Sequence, residues 1–405
     1  MIRTYIRLYA KERRILAFGM LMTFFSSFGQ TFYISLFVPD WEREFAMGSG
    51  MFGSLYSLAT LCSAALLPLV GRLVDTCDLR RLALGVAMMI AIGCAGLSVV
   101  LAPWHLLVLL FVLRLSGQGM CGHIANTTMA RHFERDRGKA LSMSALGFPI
   151  GEALFPMFAV ALIAAVGWRQ TCLLDAGIVI IVLMPLISWL LAPDTLRQPP
   201  GRHATPLDPA EKEWTRAHVL QDWRFYALLP NYLSIPFAVT GLIIHQVRLA
   251  EFKGWSMATL AYAFIGFAML RIICSLAIGP NIDRWGARRL FPFVSLPMAV
   301  GIALLTIFES AWVAVAYLAL TGASMGIAGA VGTALWAEMY GVRHLGAIKS
   351  LSSSLAVFGT ALSPALFGWL LDADLSFPWL LWGTSVGSIL AAAISMTVCF
   401  RQSES

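Results

Sequence analysis

Three charged residues lie inside long apolar segments of the sequence and are the first candidates for chemistry. They are Arg114, Glu152 and Arg271. A charge near the centre of a bilayer costs at least about 2.5–3.5 kcal/mol on insertion scales, so each one needs a partner or a function. A buried carboxyl group can bind and release a proton, and an arginine can hold an anion through its planar fork of N–H donors. These residue types therefore indicate proton coupling and anion binding.

Arg114 and Glu152 are predicted to lie at a similar depth on consecutive helices, roughly 24 Å and 20 Å from the cytoplasmic ends at 1.5 Å per residue. One interpretation is an ion pair that only holds the helices together. The other is a coupling pair, in which Glu152 carries the transported proton and Arg114 adjusts its charge state. Both interpretations stay open at this point.

Arg271 is the third of these residues, and Asp175 is a further charged residue nearer the end of an apolar segment. Arg271 has no counterpart in the first half of the chain, where Ser63 occupies the matching position. A buried cation without a counterpart favours contact with an anionic substrate, and a structural role in helix packing is the alternative. Asp175 lies near a helix end, where hydration or pairing with Arg169 would give it a structural role.

Uncharged polar residues supply further candidates for substrate contact. They are Gln30 and Tyr33 in the first apolar segment and Asn231 and Tyr232 in the seventh. Hydrogen bonds between helices explain such clusters equally well.

The sequence predicts no metal site, no cofactor and no enzyme activity. Its seven cysteines form no Cys-x-x-Cys pair, and His123 and His245 lack metal-ligand spacing. It has no nucleophile with a base and no phosphate-binding glycine-rich motif. The basic residues lie in short loops, which excludes a nucleic-acid-binding face. The expected partners are the lipid bilayer, a small-molecule substrate and protons, and the expected functional unit is a monomer.

The composition shows what must position these residues. Of the 405 residues, 59% are hydrophobic and 13% are charged, whereas a soluble domain has about 25% charged residues. Such a chain is expected to lie mostly in lipid, where a spanning helix needs roughly 20 apolar residues. The first apolar segment follows five basic residues and is too long for a signal-peptide core, so we expect it to stay attached. Twelve spans are predicted, at residues 15–38, 48–70, 82–102, 104–130, 139–166, 170–192, 223–249, 256–278, 290–308, 311–338, 346–371 and 377–399.

The distribution of lysine and arginine predicts the orientation. With the N-terminus in the cytoplasm, most of the 29 basic residues fall in cytoplasmic segments, as the positive-inside rule requires. We therefore expect a multi-pass protein of the plasma (inner) membrane with both termini in the cytoplasm. The predicted parts are a cytoplasmic N-terminus (1–14), a six-helix bundle (15–192), a cytoplasmic linker (193–222), a second six-helix bundle (223–399) and a cytoplasmic tail (400–405).

An internal repeat with an offset of 208 residues relates the two bundles. The chain reads G-R-L-V-D-T-C-D-L-R-R-L after the second span and G-P-N-I-D-R-W-G-A-R-R-L after the eighth. We expect the glycine to permit close backbone approach, the aspartate to accept hydrogen bonds from a helix N-terminus, and the arginines to bind headgroups. The matched residues are Gly71, Asp75, Arg80 and Arg81 in the first copy and Gly279, Asp283, Arg288 and Arg289 in the second.

This repeated loop resembles the signature between the second and third helices of the major facilitator superfamily. The resemblance implies an all-α membrane protein of twelve transmembrane helices in two bundles around a central cavity, with the paired loops acting as conformational latches. The sequence from Arg114 to Gly119 is similar to the superfamily's Arg-x-x-x-Gln-Gly pattern, in which the arginine is linked to proton coupling. Gly147 to Glu152 resembles a glycine-rich antiporter pattern, except that Glu152 replaces its proline.

The sequence therefore predicts a secondary active transporter that works by alternating access. Gly167-Trp168-Arg169 and Arg271 are loosely similar to oxalate/formate exchangers and monocarboxylate transporters, which favours a small organic anion moved by proton coupling or exchange. A proton-driven exporter of a drug or metabolite is the alternative.

Overall fold

The computed structural model describes residues 2–133, 136–192, 214–341 and 344–400, and for residues 2–11, 75 and 345–347 it describes the backbone alone. This part of the chain is helical throughout, with short turns and no strand. The predicted linker lies outside it up to residue 213, as does the tail from residue 401. The described end of the linker forms one short helix, Arg216–Gln221, which the Thr215 side chain caps.

Eleven helices in the described residues are long and apolar enough to span a membrane, and they correspond to the second to twelfth predicted spans. Sustained runs of apolar residues explain why they form, since such helices satisfy their backbone hydrogen bonds internally. They are α2 (Ser49–Val70), α3 (Leu79–Ser98), α4 (Pro103–His132), α5 (Arg137–Val166), α6 (Trp168–Leu190), α7 (Trp223–Ile244), α8 (Met257–Trp285), α9 (Ala287–Ile307), α10 (Trp312–Tyr340), α11 (Leu345–Asp372) and α12 (Phe377–Phe400).

The first predicted span, residues 15–38, is not one continuous helix, so the prediction of an unbroken helix there was wrong. Helix α1 (Ile2–Phe25) gives way to a 3-10 turn at Ser26–Gly29, and Gln30 is extended. A single helical turn follows at Thr31–Ile34, and Val38–Glu44 forms a further short helix. The sequence Ser-Ser-Phe-Gly-Gln explains the break, because serine hydroxyls compete for backbone carbonyls and glycine weakens a helix.

Helix α8 is longer than predicted at its C-terminal end. It was expected to end near residue 278, but it continues to Trp285 and stops at Gly286, which has a φ of +78°. Gly279 and Asp283 therefore lie in the last turns of a helix rather than in a loop. The matching part of the first copy is less regular, because α2 ends at Val70 and a separate turn forms at Leu73–Thr76.

The chain forms two compact units, one of Met1–Met47 with Leu58–Ala204 and one of Gly48–Ser57 with Thr205–Ser405. In the first unit, α1 packs against α4 and α5, and α3 packs against α6. In the second unit, α8 packs along α10, while α7 packs against α11 and α12.

Pairs of glycines four residues apart make a close helix crossing in each unit. A methyl group at Gly147 or Gly151 of α5 would overlap main-chain or hydroxyl atoms of α1 and the turn after it. A methyl group at Gly322 or Gly326 of α10 would overlap main-chain atoms of α8. Small residues at this spacing let two helix backbones touch inside a membrane. These contacts fix the position of Glu152, next to Gly151, relative to α1. They also fix the position of Arg271, whose backbone lies against Gly326, relative to α10.

Candidate functional site

The break after α1 faces a second irregularity in α4. Residues Arg114–Cys121 of α4 form a π-helix, a wider coil that is common at functional sites. The two irregular segments touch through glycine, since a side-chain carbon at Gly117 would lie 2.7 Å from the Gly29 nitrogen. Broken helices that meet at mid-membrane depth expose backbone groups that can bind ligands.

Arg114 lies at this crossing and is 1% exposed. Its Nη1 donates to Gly29 O at 3.1 Å and to Thr31 Oγ1 at 3.5 Å, and its Nε donates to Thr60 Oγ1 at 3.2 Å. The guanidinium therefore replaces hydrogen bonds that the backbone loses where the helix breaks. Gln30 stands at the break, half-buried, with Nε2 3.5 Å from Ser26 Oγ.

Glu152 lies on α5 beside the same crossing. It is 8% exposed, and its neighbour Gly151 packs against Ser27 and Phe24. Its neighbourhood is aromatic, because Phe155, one turn further along α5, lies 5.0 Å from Phe24 between ring centroids. The pairing of Arg114 with Glu152 stays a prediction.

Tyr33 joins the segment after the break to α6. Its hydroxyl donates to Asp175 Oδ2 at 2.6 Å, and both side chains are buried. This is not the environment expected for Asp175, which is 3% exposed. Arg169, its suggested partner, instead donates to the Glu44 carboxylate and to Ser98 O and stacks on Trp168.

In the second unit, Arg271 is half-buried on the part of α8 that crosses α10 at Gly326. Tyr232 of α7 is also half-buried, and its ring lies 5.6 Å from that of Trp336. The substrate contacts predicted for these residues stay predictions.

Asn231 has a different environment from Tyr232. It is fully buried and its Nδ2 donates to Phe291 O at 3.0 Å and to Ser395 Oγ at 3.2 Å, while its Oδ1 accepts from Ser295 Oγ at 2.5 Å. The amide thus joins α7 to α12 and to the turns at the start of α9. Its predicted role in substrate binding also stays a prediction.

The first predicted latch loop, which contains Gly71 and Asp75, is held by side chains of α4. His123 Nε2 donates to Gly71 O at 3.1 Å, and Arg131 Nη1 donates to Val74 O at 3.0 Å. The N-terminus of α3 is capped by Asp78, which accepts from the Arg81 amide at 2.9 Å. Arg80 is half-buried, and the side chain of Asp75 lies outside the described residues.

The second predicted latch loop, which contains Gly279 and Asp283, is held by a hydrogen-bond acceptor on α10. Glu338 accepts from the amides of Ala287 and Arg288 at 2.7 Å and 3.0 Å, which caps the N-terminus of α9. Arg288 Nη2 also donates to Val398 O at 3.2 Å. The remaining predicted latch residues, Gly279, Asp283 and Arg289, are exposed. No described atom outside its own helix segment lies within 4 Å of a side-chain carbon built on Gly279, and its predicted role as a site of close backbone approach stays a prediction.

Sequence reasoning missed one polar cluster in the second unit. Asp372 at the end of α11 accepts from the Ser49 and Gly50 amides at 3.1 Å and 2.8 Å, which caps α2. Arg248 donates to Ser49 Oγ at 2.6 Å and lies 3.4 Å from Asp372. The sequence features that could have revealed this cluster are an aspartate at the end of an apolar segment and an arginine in the short connection between α7 and α8. Within the described residues, no group of three or more His, Cys, Asp or Glu side chains could hold a metal.

Two known proteins have sequences similar to about two thirds of this chain. The chain is 26% identical over 301 residues to human monocarboxylate transporter 6, covering 69% of this chain and 59% of that protein. It is 24% identical to the MFS transporter asaE of Aspergillus flavus, covering 67% of this chain and 60% of that protein. The chain thus spans about 60% of the length of these curated relatives.

Two solved structures share the fold over almost the whole chain. One is a bacterial homolog of the human lysosomal transporter Spinster, with a TM-score of 0.72 at 16% identity, covering 96% of this chain and 97% of that one. The other is the nucleoside transporter NupG, with a TM-score of 0.69 at 12% identity and the same coverage. This fold has twelve spans in two halves, which agrees with the predicted fold class. Residues 19–270 and 231–404 match the family model of the Major Facilitator Superfamily, and the chain therefore belongs to that superfamily.

Proposed function

We propose that this protein is a secondary active transporter for a small organic anion such as a carboxylate, working by alternating access with proton coupling or exchange. The observation that carries this proposal is the crossing at Gly29 and Gly117, where a broken helix meets a π-helix around buried Arg114. Discontinuous helices of this kind form substrate and ion sites in many membrane transporters. Stability alone does not require such a crossing, because an unbroken helix would leave fewer backbone groups to satisfy.

The class of substrate is inferred from Arg271 and from the relatives. Arg271 is a cation within the apolar length of α8, and a guanidinium binds a carboxylate through two parallel hydrogen bonds. Two of the related proteins carry the name monocarboxylate transporter. Tyr232 and Gln30 are proposed as further substrate contacts because they are only half-buried. Asn231 and Tyr33 are weaker candidates, since both are engaged inside their own units.

Proton coupling is proposed for Glu152 together with Arg114. Glu152 is a carboxylate in the apolar interior beside the crossing, so a change in its surroundings would change its preferred charge state. Arg114 binds the backbone at the break, so movement of that segment is expected to alter the field at Glu152. The loops containing Asp75 and Asp283 are proposed as latches on the cytoplasmic side.

Uptake into proteoliposomes tests this function. The purified protein is first screened against a carboxylate and drug panel by thermal shift, because a ligand that binds the folded state raises its stability. Labelled hits are then offered to proteoliposomes with and without a pH gradient. We expect uptake of a carboxylate, its loss in Arg271→Lys because the bidentate fork is lost, and normal uptake in the control Arg43→Lys, whose exposed arginine pairs with Asp40.

Glu152→Gln separates coupling from binding. Loss of gradient-driven accumulation with retained exchange would support the coupling role, whereas full accumulation in this variant would assign Glu152 to structure. A drug or metabolite exporter is the second candidate, favoured by the half-buried aromatic pair Phe24 and Phe155. A transported substrate that is neutral or cationic would contradict the anion proposal and favour this alternative.

A further inference from the structure

Asp175 is a buried carboxyl group whose hydrogen-bond partner is a hydroxyl. It lies about 10 Å from the Trp168 end of α6, at 1.5 Å per residue. It is 3% exposed and accepts from the Tyr33 hydroxyl at 2.6 Å. Among the described residues, no Lys, Arg or His nitrogen lies within 4.0 Å of its carboxyl oxygens. Its ionised form would therefore be an unpaired charge in an apolar environment.

A second pair of aspartate and tyrosine shows what a cation changes. Asp222 is 8% exposed and accepts from the Tyr340 hydroxyl at 3.2 Å. Asp222 also accepts from the Arg224 Nε at 3.1 Å and from the Arg224 amide at 3.0 Å. A guanidinium and two or more donors compensate for the hydration that a buried carboxylate loses. Asp175 has the tyrosine without the guanidinium.

The side chain of α5 that lies beside the Tyr33–Asp175 pair is aromatic rather than basic. On α5, Phe155 lies 5.6 Å from the Tyr33 ring between centroids. One neutral hydroxyl donor compensates for little of the hydration that an ionised carboxylate loses on burial. The neutral acid is therefore favoured while Tyr33 covers the site. Among the described residues, the titratable groups that face Asp175 are Tyr33, Cys94 and Cys172, and the cation beside Cys172 is Arg169, which donates to Glu44 and to Ser98 O.

We propose that Asp175 is a proton-binding site, which holds the proton while Tyr33 covers it and releases it when the segment carrying Tyr33 withdraws. The O–H bond forms on a carboxyl oxygen with a proton from water, and the proton returns to water on release. Tyr33 lies on the short segment after the helix break, and Arg114 holds the start of that segment through Gly29 O and Thr31 Oγ1. A shift of the segment would change the surroundings of Arg114 and Asp175 together. The use of this proton in transport rests on the proposed function, but proton binding itself does not.

Infrared spectroscopy of the purified protein in lipid tests the site without any substrate. We expect a protonated-carboxyl band near neutral pH that loses intensity in Asp175→Asn, where any remaining band is assigned to Glu152, and that keeps its full intensity in the matched control Asp222→Asn. Tyr33→Phe should shift the frequency of the band because the carboxyl group loses a hydrogen bond, whereas Tyr340→Phe should leave it unchanged. A band of undiminished intensity in Asp175→Asn, or the absence of a band from the wild type, would overturn the proposal.

Isotope labelling keeps the test decisive if Asp175→Asn fails to fold. Carboxyl-¹³C aspartate incorporated into the wild-type protein should move the band, because the proton then resides on an aspartate. An unmoved band would assign the proton to a glutamate, with Glu152 the first candidate, and would overturn the proposal. Proteoliposomes supply the second arm, in which Asp175→Asn should lose at least tenfold in pH-driven accumulation while Asp222→Asn does not. If the wild type transports nothing, the proposed function fails while the infrared result still decides the proton site.

Discussion

Gly117→Ala tests the crossing between the helix break and the π-helix. The added methyl group would lie 2.7 Å from the Gly29 nitrogen and 2.8 Å from its Cα, both of them backbone atoms. Ordinary contact begins at about 3.4 Å, so the two segments must separate by about 0.7 Å. Overpacking of this kind costs about 1–3 kcal/mol. A unit of this size loses about 2–4 °C in Tm for each kcal/mol, so we expect a drop of several degrees.

The separation has a second effect, because Gly29 O is the acceptor of the 3.1 Å bond from Arg114. Lengthening that bond leaves a buried guanidinium less well satisfied, so transport should fall together with Tm. Thermal unfolding in detergent measures the first effect and proteoliposome uptake the second. The matched control is Gly122→Ala in the same helix, whose methyl group would meet only Phe148 Cζ, at 3.5 Å. Equal melting temperatures for the two variants would refute the packing argument.

Three further predictions concern the helix ends. Glu338→Ala removes the acceptor for the amides that start α9 and should cost about 1 kcal/mol, measured as a lower Tm; an unchanged Tm would mean that water replaces the cap. Asp372→Ala removes the acceptor for the Ser49 amide and should destabilise the second unit by about 0.5–2 kcal/mol, which denaturant titration of tryptophan fluorescence would detect. The control Asp374→Asn, which keeps a residue type that tolerates the positive φ at this position, should not reproduce the effect. Asp75→Asn should shift the balance of conformations and reduce transport without unfolding, and unchanged cysteine accessibility on both membrane faces would contradict the latch.

Long apolar segments could be located from the sequence because a spanning helix needs a fixed length of apolar residues. Eleven of these segments form helices, and all but α8, which runs from the predicted end at residue 278 to Trp285, end within about five residues of the prediction. The break in the first one was missed, although Ser26, Ser27 and Gly29 signal it. A search for apolar runs averages over such residues. Their effect also depends on Arg114, which is distant in sequence and donates the hydrogen bond to Gly29 O that a continuous helix would have supplied.

Individual contacts were harder to predict than spans. Asp175 was expected to interact with water or with Arg169, six residues away, but its partner Tyr33 is 142 residues away in sequence. Arg169 instead donates hydrogen bonds to Glu44 and to Ser98 O at the end of α3. A single sequence shows which residue types are buried, but long-range partners depend on how helices rotate about their axes. Burial and the fold class could therefore be read from composition, whereas hydrogen-bond partners could not.

The two latch loops are tied to equivalent helices by hydrogen bonds of opposite polarity. In the first, His123 and Arg131 of α4 donate to backbone carbonyls of the loop. In the second, Glu338 of α10 accepts from backbone amides. Sequences that match at an offset of 208 residues have thus diverged into parts that are no longer interchangeable. A chimaera with the second loop grafted into the first half would leave the amides of Ala287 and Arg288 without their acceptor, because Ala130 occupies the position in α4 that matches Glu338. Each loop has thus become specific to its own half.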